Sequence, residues 1–251
     1  STFTTSGNDR VTYTEKAWNA NMNDAKYVGW MFGGADGSAS ISKEQAQTNT
    51  TDSDLKEQWV DLWYTTNIED KGLSKYIGDE IFCNDRSLGG SNSTYTNLGY
   101  GKNATNYAAK TRFYYGAPGY TDATPTFKCK QKNDAFTVSD TTTGNGSLSY
   151  PVALVTADEI VAAGSGKFGT ANYHYYLYKS SEYWYWSFSP CNMASSGSAS
   201  VFAVNSSGYL DNYYAYSGGA VAPVINIAPE YAKTLVGEGT MTSPYQIPGV
   251  E

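Results

Sequence analysis

Helical periodicity is confined to two short segments of this chain, at residues 54–68 and 156–163. The sequence around them consists of short strand-like runs separated by stretches rich in Gly, Asn and Ser. Helices that lie far apart among many short strands predict an α+β fold. We expect its strands to be mostly antiparallel and its long loops to carry function.

The first helical segment has one apolar face, and the second has clear end signals. Three candidate N-cap residues precede residues 54–68: Thr51, Asp52 and Ser53. In the second segment, Thr156 followed by Glu159 is the pattern of a capping box, and Gly164 predicts the end of the helix. The apolar face of the first helix comprises Leu55, Trp59, Leu62 and Trp63.

Short apolar or aromatic runs predict the strands. Ser206-Ser207-Gly208 predicts a hairpin turn that joins residues 201–204 to Tyr209-Leu210. The predicted strands are 26–32, 125–129, 135–138, 151–155, 175–178, 183–186, 201–204 and 221–227.

Residues 173–216, here the Tyr-rich segment, hold ten of the 23 tyrosines of the chain and many of its serines. Formal charges in this segment are limited to Lys179, Glu182 and Asp211. Tyrosine offers large rigid contact area and serine offers adaptable hydrogen bonds, so the composition is typical of a binding surface. The alternative is an ordinary Tyr-bearing sheet, because tyrosine is a good strand residue.

Charge and polarity restrict the partners and the location. The net charge is −7 and no Lys/Arg cluster occurs, which argues against nucleic acid as a partner. Charged residues are only 16% of the chain, and its polarity comes from Ser, Thr, Asn, Gly and Tyr, as in bacterial extracellular proteins. No apolar run reaches the roughly 18 residues of a membrane span. We therefore expect a bacterial cell-surface or extracellular ectodomain whose targeting segment has been removed.

The three cysteines fit no metal-binding spacing. Cys83 and Cys129 each lie beside a short apolar run, so either they form a disulfide in an oxidising compartment or both are buried free thiols. Cys191 lies inside the Tyr-rich segment.

Four motifs in a fixed order carry a resemblance to a known family. They are Thr156-Ala157-Asp158-Glu159-Ile160, the run from Tyr183 to Pro190, the run from Val201 to Leu210, and Pro223-Val224-Ile225-Asn226-Ile227. The chain resembles bacterial surface proteins with a C-type lectin-like fold of the formylglycine-generating-enzyme type. In particular, it resembles the variable proteins of diversity-generating retroelements. It departs from them at Ala222, where relatives usually carry an arginine.

The N-terminal half resembles prepilin-like members of this group, through 26–29, the Trp59/Trp63 helix, 81–87 and 125–129. Together the resemblance covers most of residues 26–247. It implies that residues 1–25 are an N-terminal extension next to a removed pilin-type membrane anchor. It further implies that residues 26–251 form a single C-type lectin-like domain, with a variable ligand-binding region at about 173–216.

The resemblance also implies which positions bind ligand. In such systems, changes at adenines of AAC or AAT codons reach Tyr, Ser, Asn, Asp, Ala, Cys and Phe but not Trp, so Trp184 and Trp186 are interpreted as framework. Strand alternation places Tyr183 and Tyr185 on the face of the strand opposite to that of these tryptophans. The ligand-binding positions expected at the surface are Ser181, Tyr183, Tyr185, Phe188, Cys191, Asn192, Ser195, Ser196, Ser198, Ala203, Tyr209, Asp211, Asn212, Tyr213, Tyr214 and Tyr216.

We expect no catalysis, cofactor or metal. The only histidine, His174, lies among tyrosines and is interpreted as one more aromatic surface residue. The expected function is non-catalytic binding of an unknown protein or glycan on another cell or phage, with membrane contact only through the missing anchor. The alternatives are a structural pilin-like subunit and a glycan-active enzyme derived from the same fold.

Overall fold

The computed structural model describes residues 15–114, 120–166, 168–178, 184–240 and 242–249. Ser181 and Tyr183 lie outside these residues. Within them, the strands are β1 (Met31–Phe32), β2 (Thr51–Asp52), β3 (Ile77–Gly78), β4 (Phe82–Cys83), β5 (Thr105–Asn106), β6 (Ala135–Phe136), β7 (Ala153–Leu154), β8 (Tyr185–Met193), β9 (Ala199–Val204), β10 (Leu210–Tyr214), β11 (Pro223–Val224) and β12 (Asn226–Ile227).

Helical elements are short and alternate with these strands. The α-helices are α1 (Lys43–Ala46), α2 (Asp61–Tyr64), α3 (Ala108–Phe113), α4 (Ala157–Ala162) and α5 (Pro229–Ala232). Single 3-10 turns lie at Ala25–Val28, Ser74–Tyr76 and Lys132–Asp134, and π-helical turns at Lys56–Val60 and Thr65–Glu69 flank α2. The mixture of helix with antiparallel sheet is compatible with the predicted α+β class.

A four-stranded antiparallel sheet in the order β10–β9–β8–β5 is the largest sheet among the described residues. The remaining strands form two-stranded antiparallel pairs around it. β8 is irregular: Pro190 pairs with Val201 but Asn192 pairs with Ser200, so two steps along β8 match one step along β9. Such a bulge bends the strand and redirects its side chains. The predicted hairpin after β9 is confirmed, with Leu210 paired to Val204.

Both faces of this central sheet are covered by apolar side chains. On one face, Trp186 packs edge-on against Trp18 in the first core cluster, with 5.9 Å between ring centroids. On the other face, Tyr185 joins the second core cluster with Phe113 of α3 and Ile160 of α4. Tyr185 does point away from Trp186, as alternation predicts. The face of the sheet on which Tyr185 lies is nevertheless covered by α3 and α4, so Tyr185 is only 2% exposed.

The first predicted helix forms over residues 54–69, and its predicted apolar face is confirmed except at Leu62: Leu55 is buried, and Trp59 and Trp63 pack against the first core cluster. The amide of Asp61 donates to Lys56 O and that of Asp70 donates to Thr65 O, five residues back in each case. These π-type bonds widen the turns and rotate the buried face. Leu62 is consequently 56% exposed. The buried apolar side chains of this helix are Leu55, Val60, Tyr64 and Ile68, and the Lys56 side chain is buried as well.

Local end signals predicted the second helix correctly. Thr156 Oγ1 accepts from the Glu159 amide at 3.1 Å, and the Glu159 carboxylate accepts from the Thr156 amide at 2.8 Å. Gly164 follows the helix with φ +101°, a left-handed conformation that favours glycine. The capping box therefore fixes where α4 begins.

Two predicted strands are absent and four form only in part: 26–32, 135–138, 151–155 and 221–227. In 26–32 the Asp24 carboxylate accepts from the Lys26 amide at 2.9 Å and caps a 3-10 turn, so only β1 remains extended. Residues 125–129 and 175–178 contain no strand. Short aromatic runs fit strands and loops equally well, because periodicity over four residues does not discriminate.

Covalent and polar links hold the loops to the sheets. Cys83 of β4 forms a disulfide with Cys129, which closes a sequence separation of 46 residues. Residues 15–25, expected to belong to an N-terminal extension, contribute to the packed unit. Trp18 is fully buried, and Trp186 Nε1 donates to Lys16 O at 2.7 Å. The packed unit thus reaches back to at least residue 16.

Candidate functional site

The Tyr-rich segment divides into buried and accessible positions. Six positions expected at the surface are buried, and for them that expectation is wrong: Tyr185, Phe188, Cys191, Asn192, Ser198 and Ala203. They lie in or next to β8 and β9, the inner strands of a sheet that is covered on both faces. Eight positions are half-buried or exposed: Ser195, Ser196, Tyr209, Asp211, Asn212, Tyr213, Tyr214 and Tyr216.

A row of polar side chains crosses the central sheet from edge to edge. Tyr214 of β10 is opposite Ser200, Ser200 is opposite Asn192, and Asn192 is opposite Asn106 of β5. Directly opposed residues in antiparallel strands project from the same face. We call these four residues the polar row. It lies on the face of the second core cluster, since Val201, the strand neighbour of Ser200, belongs to the first cluster.

The β5 end of the polar row holds amide groups without partners. Asn106 is fully buried, and neither its Nδ2 nor its Oδ1 has a hydrogen-bond partner among the described residues. Asn97 Oδ1 accepts from the Asn106 backbone amide at 2.6 Å, but Asn97 Nδ2 is unpartnered. Buried polar atoms are almost always paired with protein, water or ligand. Three such atoms on neighbouring residues therefore form an unusual cluster of unpaired polar groups inside the described part of the fold.

Lys110 of α3 follows Asn106 by four residues in the chain, and its ammonium lies between two tyrosine rings. Its Nζ is 5.0 Å from the centroid of the Tyr95 ring and 5.2 Å from that of Tyr114. It also donates to Tyr95 Oη at 3.2 Å. The start of α3 is fixed to the row, because the Tyr107 amide donates to Cys191 O at 3.1 Å.

Aromatic rings continue from Lys110 toward the hairpin. Tyr114 stacks on Phe168 with 3.8 Å between ring centroids, and Phe168 packs against Tyr209 at 6.2 Å. All three rings are half-buried. This arrangement joins the N-terminal half of the chain to the Tyr-rich segment.

Beyond the hairpin, a polar network fixes Tyr213. Its ring stacks on Trp184 with 3.8 Å between centroids and 4° between planes. Asn205 Nδ2 donates to Tyr213 Oη at 3.1 Å and to Asp211 Oδ2 at 3.2 Å. Burial raises the pKa of Asp211 and raises the pKa of Tyr213 to about 12. These contacts hold the Tyr213 ring against Trp184.

Among the described residues of the segment, the most accessible aromatics lie at its two ends. Tyr214 and Tyr216 are 44% and 50% exposed, and their rings are stacked 6.0 Å apart. Ser195 and Ser196 are also exposed. At the other end, Tyr173 and Tyr176 are exposed, as is His174. Rigid exposed tyrosines beside small polar residues make an adaptable contact surface.

Cys191 is a poor candidate for chemistry. Its thiol is fully buried, and burial raises its pKa to about 12 although the Lys110 charge opposes the rise. A thiol with so high a pKa remains protonated at neutral pH and is a weak nucleophile. Among the described residues, no group of three His, Cys, Asp or Glu side chains is arranged to hold a metal ion.

Local sequence patterns did not predict the residues that the N-terminal half contributes to the candidate site. These residues lie far from the Tyr-rich segment in the chain, and no local pattern marks them. They are Tyr95, Asn97, Asn106, Lys110 and Tyr114. The available signal was weak: Tyr114 lies within a stretch rich in Gly, Asn, Ser and Tyr that has no sustained period.

Comparison with protein families, curated proteins and solved structures finds no match to this chain. In the part of the chain that the structure describes, no helix has the length and hydropathy of a membrane span.

Proposed function

We propose that this protein binds a ligand without catalysis, through the exposed tyrosines at the edge of the central sheet. The observation that carries the proposal is the stacked pair Tyr214 and Tyr216, exposed at the end of the polar row. Tyr214 belongs to β10, whose hydrogen bonds to β9 hold it in place. A rigid aromatic loses little conformational entropy on binding, so such residues commonly dominate the affinity of an interface.

We further propose that the scaffold is a C-type lectin-like domain of the retroelement-variable type, displayed outside a bacterial cell. The order of sequence motifs and the antiparallel sheet support the fold. The Cys83–Cys129 disulfide supports the location, because disulfides persist in oxidising compartments.

The genome offers a test of the variable type. We expect a reverse transcriptase gene and a near-identical template repeat beside the gene, with differences at adenines. Variation among isolates should concentrate at the eight accessible positions and spare Phe188, because changes at a buried aromatic would destabilise the fold. Isolates that vary at Phe188 as often as at Tyr214 would contradict this proposal.

Binding is tested by substituting both exposed tyrosines. The full chain is screened on an array of glycans and proteins, and each hit is compared with a Tyr214→Ala/Tyr216→Ala variant. We expect about tenfold or greater loss of affinity, since truncating interface hot spots costs more than about 1.4 kcal/mol. Tyr245→Ala is the matched control, because Tyr245 is 63% exposed and lies outside the Tyr-rich segment.

Two results would oppose the proposal. A hit whose affinity is unchanged in the double variant would place binding elsewhere on the protein. Assembly of the protein into filaments that the double variant cannot form, with no array hit, would instead favour a structural pilin-like subunit.

A further inference from the structure

We propose that the groove beside the Cys83–Cys129 disulfide is a docking site for an acidic peptide segment of a partner protein, anchored by one apolar side chain. The groove is lined by residues of β4, of β6 and of the segment 127–132, and none of its described lining residues belongs to the Tyr-rich segment. The proposal therefore adds a second binding surface and does not depend on Tyr214 or Tyr216.

The groove offers open space next to exposed apolar side chains. It has a volume of about 430 Å³, and Ile81 and Phe127 line it. These two residues are 43% and 72% exposed. They also line a neighbouring cavity of about 80 Å³. Exposed apolar side chains that share a concave surface on a soluble protein mark an interaction site.

Two tethers hold the segment that carries Phe127. The Thr126 amide donates to Oδ1 of the buried Asp158 at 2.8 Å. Two residues beyond Phe127, Cys129 is bonded to Cys83 of β4. An aromatic side chain on a tethered segment loses little conformational freedom when a partner binds, so more of its contact energy contributes to affinity.

The groove carries positive charge on a protein whose net charge is −7. Lys128 and Lys132 line it, and no Asp or Glu among the described residues does. With Lys130 between them in the chain, all three lysines are exposed, and no described carboxylate lies within ion-pair distance of them. Lys132 Nζ donates to Thr141 O at 2.6 Å, which uses one of its three donors. Charge complementarity therefore favours carboxylates in the occupant.

The neighbouring cavity argues for a short peptide over a uniform polyanion. Its walls contain three carboxylate residues against two cations. A nucleic acid or an anionic membrane surface would meet these carboxylates together with the net negative charge of the protein. A short peptide segment can place its acidic residues beside the lysines of the groove and one apolar side chain against Phe127.

The test uses three peptides of equal length: acetyl-Gly-Leu-Glu-Glu-Gly-amide, the same peptide with both Glu replaced by Gln, and the same peptide with Leu replaced by Ser. Each is titrated into the full chain and followed by amide chemical shifts. We expect the first peptide to bind about fivefold tighter than the Gln peptide, the size of two exposed ion pairs. It should bind about tenfold tighter than the Ser peptide, because leucine buries apolar surface against Phe127 and serine does not. Shifts should centre on Lys128, Cys129 and Ala135.

Two variants remove the apolar and the charged part of the groove separately. Phe127→Ser should weaken binding of the first peptide about tenfold. Lys128→Gln/Lys132→Gln should weaken it about fivefold and abolish the preference for the Glu peptide over the Gln peptide. All three side chains are exposed, so the fold should tolerate both variants.

Two matched variants carry the same kinds of change outside the groove. Ile41→Ser replaces an apolar residue that is 77% exposed, and Lys102→Gln/Lys233→Gln removes two exposed positive charges. Both should bind the first peptide as tightly as the unaltered chain. A loss in the second control as large as that in Lys128→Gln/Lys132→Gln would overturn the proposal, because binding would then follow net charge alone.

Equal binding of the three peptides, or full affinity in Phe127→Ser, would also overturn the docking site. Binding to vesicles of anionic phospholipid without peptide binding, lost in Phe127→Ser, would assign the groove to a membrane surface instead. Self-association without peptide binding, measured by sedimentation and lost in Phe127→Ser, would assign it to a second copy of the chain. None of these results involves Tyr214→Ala/Tyr216→Ala, so failure here is distinguishable from failure of the proposed function.

Discussion

Replacing Phe188 by alanine should lower the free energy of unfolding by about 3–5 kcal/mol, the usual cost of deleting a buried aromatic. Phe188 is fully buried, and its ring packs edge-on against Trp30 at 5.1 Å and against Phe136 at 6.2 Å between centroids. Its carbonyl accepts from Asn84 Nδ2 at 2.6 Å, so the backbone is held and cannot collapse into the cavity. Urea denaturation followed by tryptophan fluorescence measures the change.

The matched control is Tyr216→Ala within the same Tyr-rich segment. Tyr216 is 50% exposed, so its truncation should change stability by no more than about 0.5 kcal/mol. A loss below about 1 kcal/mol at Phe188 would contradict the two-sided burial of β8, since surface substitutions seldom cost more. The pair of variants therefore distinguishes buried positions that stabilise the fold from accessible positions that do not, within one segment.

Replacing Arg86 by methionine should destabilise the protein by about 3–5 kcal/mol, because it leaves a buried carboxylate without its partner. Arg86 is 1% exposed, and its Nε donates to Asp134 Oδ1 at 2.7 Å. Its two other guanidinium nitrogens donate to Met31 O and to Asn49 Oδ1, each at 2.8 Å. One side chain thus ties β1, the loop before β2 and the start of β6 together.

A double-variant cycle identifies the origin of this loss. Arg86→Met/Asp134→Leu should be less destabilised than the sum of the single variants, since no isolated charge then remains buried. Lys102→Met, which removes an exposed positive charge, should leave stability nearly unchanged. Strict additivity of the two single effects would contradict direct coupling between Arg86 and Asp134.

These two buried sites hold the fold together and are separate from the accessible tyrosines. Trp186 and Phe188 hold β8 against the first core cluster, and Arg86 holds the loops that surround it. Tyr214 and Tyr216 lie at the far edge of the same sheet, where substitution leaves the core intact. A surface of this kind can change its chemistry while the fold stays the same.

The sequence by itself determined the features that depend on neighbours in the chain. The capping box of Thr156 and Glu159, the hairpin after β9 and the mixture of helix with antiparallel strands all follow from local patterns. These features depend on only a few adjacent residues, so the backbone preferences and hydrogen bonds of those residues can be predicted from the sequence.

Only the tertiary structure decided which side chains are accessible and which distant residues meet. Alternation placed Tyr185 opposite Trp186 but could not reveal that α3 and α4 cover that face. Likewise, π-type bonds turned Leu62 outward, and pairing of β5 with β8 brought Asn106 beside Asn192. The physical reason is that a strand's period of two shows which residues share a face. Whether that face meets water depends on packing with segments far away in the chain.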